Sequence, residues 1–242
     1  MVSGLWGYKM IKSAMILAAG LGLRMRPLTN YLPKPLISVA GKSMLERAFN
    51  HLKSIGVSKI VVNTHHLAPL VEQKVKELDS TILISHEEIL LETGGGIKKA
   101  LPWLGNEAFF ILNGDNVWSH PESLTHMEKV WDEAKMDALL LLIPHEKAHG
   151  YEGKGDFLMS KEGRLSRLNQ TSLIPFVYIG VQLASPRLFQ HAPEGPFSLN
   201  LLWDRAIQDG RLFGYIHQGE CFHISTPADL QKYEPIVANL ER

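Results

Sequence analysis

The chain has 242 residues, with 25 Lys+Arg against 25 Asp+Glu, 45% hydrophobic and 21% charged residues. This balance excludes a disordered or fibrous polymer, and a formal net charge of +0 removes the broad basic footprint of a dedicated nucleic-acid binder. A single cysteine, Cys221, excludes an internal disulfide and a cysteine-based zinc site and fits a reducing cytosol; no run approaches the roughly 20 apolar residues of a membrane span.

The first ten residues read as an extension, with Met10 as an alternative start. Lys9 and Lys12 before the apolar run 14–23 have the outline of a secretory leader, but the run carries Gly20 and Gly22 and continues into Arg24 and Arg26 without a small-residue cleavage site. It reads instead as a buried strand over 13–19 followed by a loop. A helix over 43–54, a strand over 59–63, a helix over 67–78 and a strand over 81–85 come next, then a helix over 93–101 and a strand over 108–113. The strands are continuous apolar runs, as in a sheet covered on both faces. Beyond Pro121 the pattern predicts a helix over 121–131, a strand over 138–143 and a polar, glycine-rich loop over 145–155. A hairpin follows, its arms 157–159 and 164–168 flanking Lys161-Glu162-Gly163. A strand over 176–183, a helix over 199–208, a strand over 211–217 and a helix over 227–240 complete the chain. The alternation predicts an α/β fold: one domain over 1–242, three-layered and doubly wound around a mostly parallel sheet. Ligands then belong at the carboxyl ends of the strands.

The segment Leu17-Ala18-Ala19-Gly20-Leu21-Gly22-Leu23-Arg24-Met25-Arg26-Pro27-Leu28-Thr29, with Pro33-Lys34-Pro35-Leu36 after it, carries the strongest chemical signal. A buried strand delivers small residues whose backbone N–H groups can close on a phosphate or a flat base, and Arg24, Arg26 and Lys34 supply cations for a triphosphate. It is neither a Walker A loop nor a full G-x-G-x-x-G fingerprint, since Met25 stands at the third glycine position. Glu92-Thr93-Gly94-Gly95-Gly96 opens a helix, with Thr93 as its expected N-cap; glycines there suit a base or sugar lying against bare backbone. Asn113-Gly114-Asp115 ends a strand on a carboxylate, a hard ligand for a hard cation. His65-His66 reads as loop histidine.

These blocks resemble the sugar-1-phosphate nucleotidyltransferases. The segment 17–36, Leu91-Glu92-Thr93-Gly94-Gly95-Gly96-Ile97 and Asn113-Gly114-Asp115 match in order and spacing. Together with Gly153-Lys154-Gly155-Asp156-Phe157 they are most similar to the branch that uridylylates N-acetylmuramate 1-phosphate in cell-wall recycling. The resemblance implies a Rossmann-like nucleotidyltransferase fold, with residues 13–115 as the nucleotide half and 116–242 as the sugar-phosphate half. It implies an NTP, UTP in that branch, and a sugar 1-phosphate as substrates, with no nucleic acid or membrane partner and a cytoplasmic setting. Ala18, Ala19, Gly20, Gly22, Arg24 and Gly94 would bind nucleotide. Arg24, Lys34 and Asp115 would be catalytic, and Glu92, Gly155, Asp156, Tyr178 and Gly180 would bind the sugar, with Gln182 further along the same strand. Asp115 would hold Mg²⁺. His223 stands where the family usually has a second metal-binding aspartate, leaving three readings open: Mg²⁺ on one carboxylate, a shift toward Mn²⁺, or His223 as a phosphate donor. Relatives also bind the sugar phosphate through a lysine for which residues 167–171 offer no counterpart, so Arg167 or Lys154 are the substitutes available. The alternatives are a guanylyltransferase acting on mannose 1-phosphate and a nucleotide-sugar sensor. No sequence feature sets an oligomeric state.

Overall fold

The computed structural model describes residues 10–167 and 175–240. The start of the predicted extension and the segment 168–171, which offers no counterpart to the relatives' sugar-phosphate lysine, lie outside the described residues. Seven strands form the central sheet: β1 (Ser13–Leu17), β2 (Lys59–Thr64), β3 (Leu83–His86), β4 (Phe109–Asn113), β5 (Ala138–Pro144), β6 (Phe176–Ala184) and β7 (Leu212–Ile216). Their order is β7-β5-β6-β4-β1-β2-β3, and β6 alone runs antiparallel to its neighbours.

Alternation within the apolar runs explains why the sheet is covered twice. Ala14 and Ile16 of β1 point into one core and Met15 into the other; along β4, Phe110 and Leu112 oppose Phe109 and Ile111. The first core is closed by α1 (Met44–Ser54), α2 (Ala68–Leu78) and α4 (Glu122–Val130), the second by α3 (Glu92–Leu104) and α5 (Asn200–Gln208). Helix α1 starts at a capping residue: Ser43 Oγ accepts from Glu46 N–H at 3.2 Å. Its Leu45, Ala48, Phe49 and Leu52 then line one stripe against the sheet. A third cluster joins α6 (Pro227–Leu240), through Tyr233 and Val237, to Met25 of the glycine-bearing loop and to Phe222 and Ile224.

Two expectations change. Helix α3 runs on through Pro102 to the buried Leu104, because a proline in the last turn removes only a terminal hydrogen bond. The predicted 145–155 loop contains a short strand, Ala148–His149, paired with Cys221–Phe222, which pairs in turn with Val117–Trp118. Two-residue strands carry no readable periodicity.

Candidate active site

Strand order reverses across β1, with β2 and β3 on one side and β4 on the other, so the carboxyl ends of β1 and β4 flank a crevice. The loop leaving β1 is pinned over it. Gly22 adopts φ 60, and a Cβ there would lie 3.0 Å from Lys34 Cβ and from Thr29 Cγ2, so only glycine fits. Thr29 Oγ1 donates to Gly22 O at 2.9 Å, and His66 Nε2 donates to Thr29 O at 2.9 Å. His65 Nδ1 likewise donates to Glu87 O at 2.8 Å, so both histidines tie loops together.

A buried relay then joins this loop to the next. Ala18 N–H donates to Asn63 Oδ1 at 2.7 Å, Asn63 Nδ2 donates to Glu87 Oε1 at 2.8 Å, and Leu91 N–H donates to Glu87 Oε2 at 2.9 Å. Asn63 is 3% and Glu87 1% exposed. The three glycines of α3 serve this packing. A Cβ on Gly96 would meet Glu87 Oε1 at 2.6 Å, one on Gly95 the Gly195 carbonyl at 2.4 Å, and one on Gly94 the Phe197 ring at 2.2 Å. Gly94 N–H and Gly95 N–H both donate to Phe197 O, so Gly94 is covered by protein rather than open to a base. Thr93 does not cap its own helix, which begins at Glu92; its hydroxyl accepts from Leu199 N–H at 2.9 Å and thereby fixes the approach to α5.

The crevice is one cleft with two lobes. The first, about 390 Å³, is lined by Ala18, Ala19, Gly20, Gly22, Lys34, Asn63, Glu92 and Asp115. Gly20 has nothing within 4 Å of a notional Cβ, so its backbone opens into this space. Lys34 Nζ donates to Asp115 Oδ2 at 2.7 Å, joining two residues 81 positions apart in sequence. Glu92 sits at φ 58, a left-handed conformation unusual outside glycine, at the lip of the lobe. The second lobe, about 270 Å³, is lined by Asp156, Phe157, Arg167, Tyr178, Asn200 and Trp203, and shares Leu17, Thr93, Asn113 and Ser198 with the first. Asp156 Oδ2 accepts from Tyr178 N–H at 2.8 Å and Oδ1 from Tyr151 OH at 3.3 Å. Burial, reinforced by this carboxylate, pushes the Tyr151 hydroxyl up to about 12, and the Tyr178 hydroxyl is raised by the same two causes.

Other expected residues sit elsewhere. Gly155, at φ 98, directly precedes Asp156 in the chain. Gly180, at φ 77, lies where the β5–β6 register shifts, and a Cβ would collide with Asn116 Nδ2 at 2.1 Å. Gln182 is buried in the core and accepts from Trp203 Nε1 at 3.0 Å. Arg24 and His223 share a third cavity with Tyr151 and Asp229. Arg24 is exposed and has no ion-pair partner among the described residues. His223 Nε2 is buried and has no hydrogen-bond partner among the described residues. Burial lowers the affinity of this ring for a proton; Asp156 and Asp115 pull the other way, and Lys34 and Arg24 add to the lowering. Asp115 Oδ2 is engaged by Lys34 Nζ, so a divalent cation held by Asp115 would be met by Oδ1. Asp115 offers a hard carboxylate, and among the described residues no group of three or more His, Cys, Asp or Glu gathers to enclose an ion. Substrate phosphates and water would supply the remaining ligands, the usual coordination of Mg²⁺.

The glycine-bearing loop at the carboxyl end of β1 thus lies beside the Lys34–Asp115 pair in one lobe of the cleft. The model of the MobA-like NTP transferase domain matches residues 14–171. The chain belongs to this family. It is a nucleotidyltransferase. It is 39% identical over 224 residues to the N-acetylmuramate alpha-1-phosphate uridylyltransferase of Caulobacter vibrioides, covering 89% of this chain and 93% of that one. It is 28% identical over 231 residues to mannose-1-phosphate guanyltransferase beta-B of Xenopus laevis, covering 89% of this chain and 62% of the relative. The inositol-1-phosphate CTP transferase of T. maritima shares the fold, with a TM-score of 0.77 at 18% identity over 97% of this chain and 98% of that one. Among the described residues no helix is long and apolar enough to cross a membrane.

Asn63, Ser198, Asn200 and Trp203 are the site residues that sequence reasoning missed. Asn63 carried a signal, as a polar residue closing the buried run Ile60-Val61-Val62 at a strand's carboxyl end. The other three come from a distant segment and carried none.

Proposed function

We propose that the protein transfers UMP from UTP to N-acetylmuramate 1-phosphate, releasing pyrophosphate. The observation that carries this reading is the Lys34–Asp115 pair beside Gly20 and Gly22, at the end of a lobe that opens directly into a second, sugar-sized one. The likeness to the Caulobacter enzyme, over 89% of this chain and 93% of that one, favours uridine and the muramate sugar over guanosine and mannose. In this reading residues 13–115 chiefly serve the nucleotide and 116–242 the sugar, in the cytoplasm, within recycling of cell-wall sugar.

A non-bridging oxygen of the sugar phosphate attacks the α-phosphorus in line; a P–O bond forms there, and the bond to the β-phosphate oxygen breaks to release pyrophosphate. A phosphate monoester has a second pKa of roughly 6 and is largely dianionic at neutral pH, so no general base is needed. Ala18, Ala19, Gly20 and Gly22 let the nucleotide lie close to the backbone. Lys34 neutralises charge on the phosphates, and Arg24 reaches the departing pyrophosphate from the neighbouring cavity. Glu92 borders the ligand in the first lobe and Tyr178 borders the sugar in the second. A divalent cation, Mg²⁺ or Mn²⁺, supplies further charge neutralisation when bound, held by Asp115 with His223 nearby.

Pyrophosphate release measured with UTP, GTP, CTP and dTTP against N-acetylmuramate 1-phosphate and mannose 1-phosphate tests the proposal. UTP with the muramate sugar is expected to turn over fastest. Faster turnover of GTP with mannose 1-phosphate would replace the proposal, and no release from any pair would support the sensor alternative.

A further inference from the structure

The second lobe carries two charged side chains, Asp156 and Arg167, and they are held differently. Both oxygens of Asp156 already accept hydrogen bonds from the protein, one from Tyr178 N–H and one from Tyr151 OH. Arg167 is clamped along one edge only: Nε donates to Asp204 Oδ1 at 2.6 Å and Nη2 to Asn200 Oδ1 at 2.6 Å. Its guanidinium lies 4.9 Å from the centroid of the Phe157 ring, which fixes its plane. The Nη1 edge has no partner among the described residues. A planar fork, oriented by two contacts and a ring with one edge left open, suits a carboxylate approaching in its plane.

The position along the cleft says which part of a ligand this edge meets. Lys34 and Asp115 line only the first lobe, whereas Arg167, Asn200 and Trp203 line only the second. A sugar 1-phosphate whose phosphate is held by Lys34 enters the second lobe with its ring, so the group that reaches Arg167 is a substituent remote from the anomeric phosphate. We propose that Arg167 reads a carboxylate on the sugar ring, making this lobe selective for sugar 1-phosphates that bear a second, acidic group. The proposal rests on the reading of the protein as a sugar-1-phosphate uridylyltransferase and deepens it: Arg167 is assigned to the sugar's acidic substituent instead of its phosphate. Asp204 then has a second role as an internal anion that occupies Nε and competes weakly with the substrate for the same cation.

The test compares N-acetylmuramate 1-phosphate with N-acetylglucosamine 1-phosphate, which has a free 3-hydroxyl and so lacks the whole lactyl ether together with its carboxylate, using UTP and the protein as it stands. Arg167→Ala is expected to lower kcat/KM for the acidic sugar by about 10- to 100-fold, the range for losing a hydrogen bond to a charged group, and to do so through KM, because the contact is remote from the reacting phosphorus. The neutral sugar should lose several-fold less, so the preference collapses. Asp204→Asn keeps a hydrogen-bonding side chain beside the guanidinium but removes the competing charge, and should keep or raise the preference. An ion pair with a merely structural role would make the two variants fall alike, and a phosphate contact would make Arg167→Ala reduce both sugars equally; either result overturns the proposal. If Arg167→Ala does not fold, Asp204→Asn still decides, since a fall in the preference would count against it. A wild type that turns over both sugars equally well also overturns it while leaving uridylyl transfer standing. A wild type inactive on every sugar 1-phosphate would overturn the functional reading itself.

Discussion

Replacing Asn63 by alanine probes the relay that fastens the nucleotide loop to the start of α3. The substitution removes an acceptor from Ala18 N–H, at 2.7 Å, and a donor to Glu87 Oε1, at 2.8 Å, both among buried residues at the wall of the first lobe. An unsatisfied buried neutral group costs about 1–3 kcal/mol, and one partnering a carboxylate costs more. The sum is a loss of roughly 3–4 kcal/mol, equivalent to about 6–16 °C in Tm for a chain of this size. The same change frees the loop at Ala18, so KM for the nucleotide should rise while kcat changes less. Glu87→Gln checks the assignment from the other side: its amide can still accept from Leu91 N–H, but its NH₂ then faces the Asn63 NH₂. A loss of about 1.5–3 kcal/mol is expected, strongly non-additive with Asn63→Ala. Urea unfolding of the two single variants and the double variant, with nucleotide kinetics on each, measures all of this. An Asn63→Ala protein within 1 kcal/mol of wild type and with unchanged KM would refute the relay.

Lys34→Ala and Arg24→Ala should each lower kcat/KM by on the order of 100-fold or more with little change in thermal stability, since neither side chain supports the core; near-normal turnover would remove that residue from the mechanism. His223→Asp puts a hard oxygen donor in place of an imidazole whose Nε2 has no hydrogen-bond partner among the described residues, so the Mn²⁺/Mg²⁺ activity ratio should fall relative to wild type, and an unchanged ratio would leave His223 outside the metal's reach. His217, buried and bonded through Nδ1 to Ser123 Oγ, is depressed to about 4, first by burial and then by His120. Between its unfolded value of 6.5 and about 4 the unfolded chain binds the extra proton. This contribution is present in full above that window and lost as pH falls through it, at up to about 1.4 kcal/mol per pH unit. The slope of stability against pH over this range should flatten in His217→Gln.

The sheet was legible because its strands are unbroken apolar runs such as Phe109-Phe110-Ile111-Leu112, which only a doubly covered sheet can bury. The loop over 18–36 was legible because so many of its features are costly unless a ligand needs them: Gly20 open to the cleft, Gly22 in a left-handed conformation, and cations clustered beside both. The meaning of Gly94-Gly95-Gly96 was not legible. Glycines that admit a ligand and glycines that admit Phe197, the Gly195 carbonyl and Glu87 look identical until the partner segment is placed. The surroundings of His223 were hidden for a related reason, since they depend on the pairing of Ala148–His149 with Cys221–Phe222, which lie more than 70 residues apart. Arg167 could be named as a cation but not oriented, because Asp204 and Asn200 arrive from a helix far along the chain.

A crystal structure of the protein with the product UDP-N-acetylmuramate addresses the whole arrangement at once. The uridine and its phosphates should lie in the first lobe against Gly20 and Gly22, with a phosphate oxygen within hydrogen-bond reach of Lys34. The sugar ring should occupy the second lobe beside Tyr178 and Asp156. Product bound with the two ends exchanged, or outside this cleft, would contradict the account.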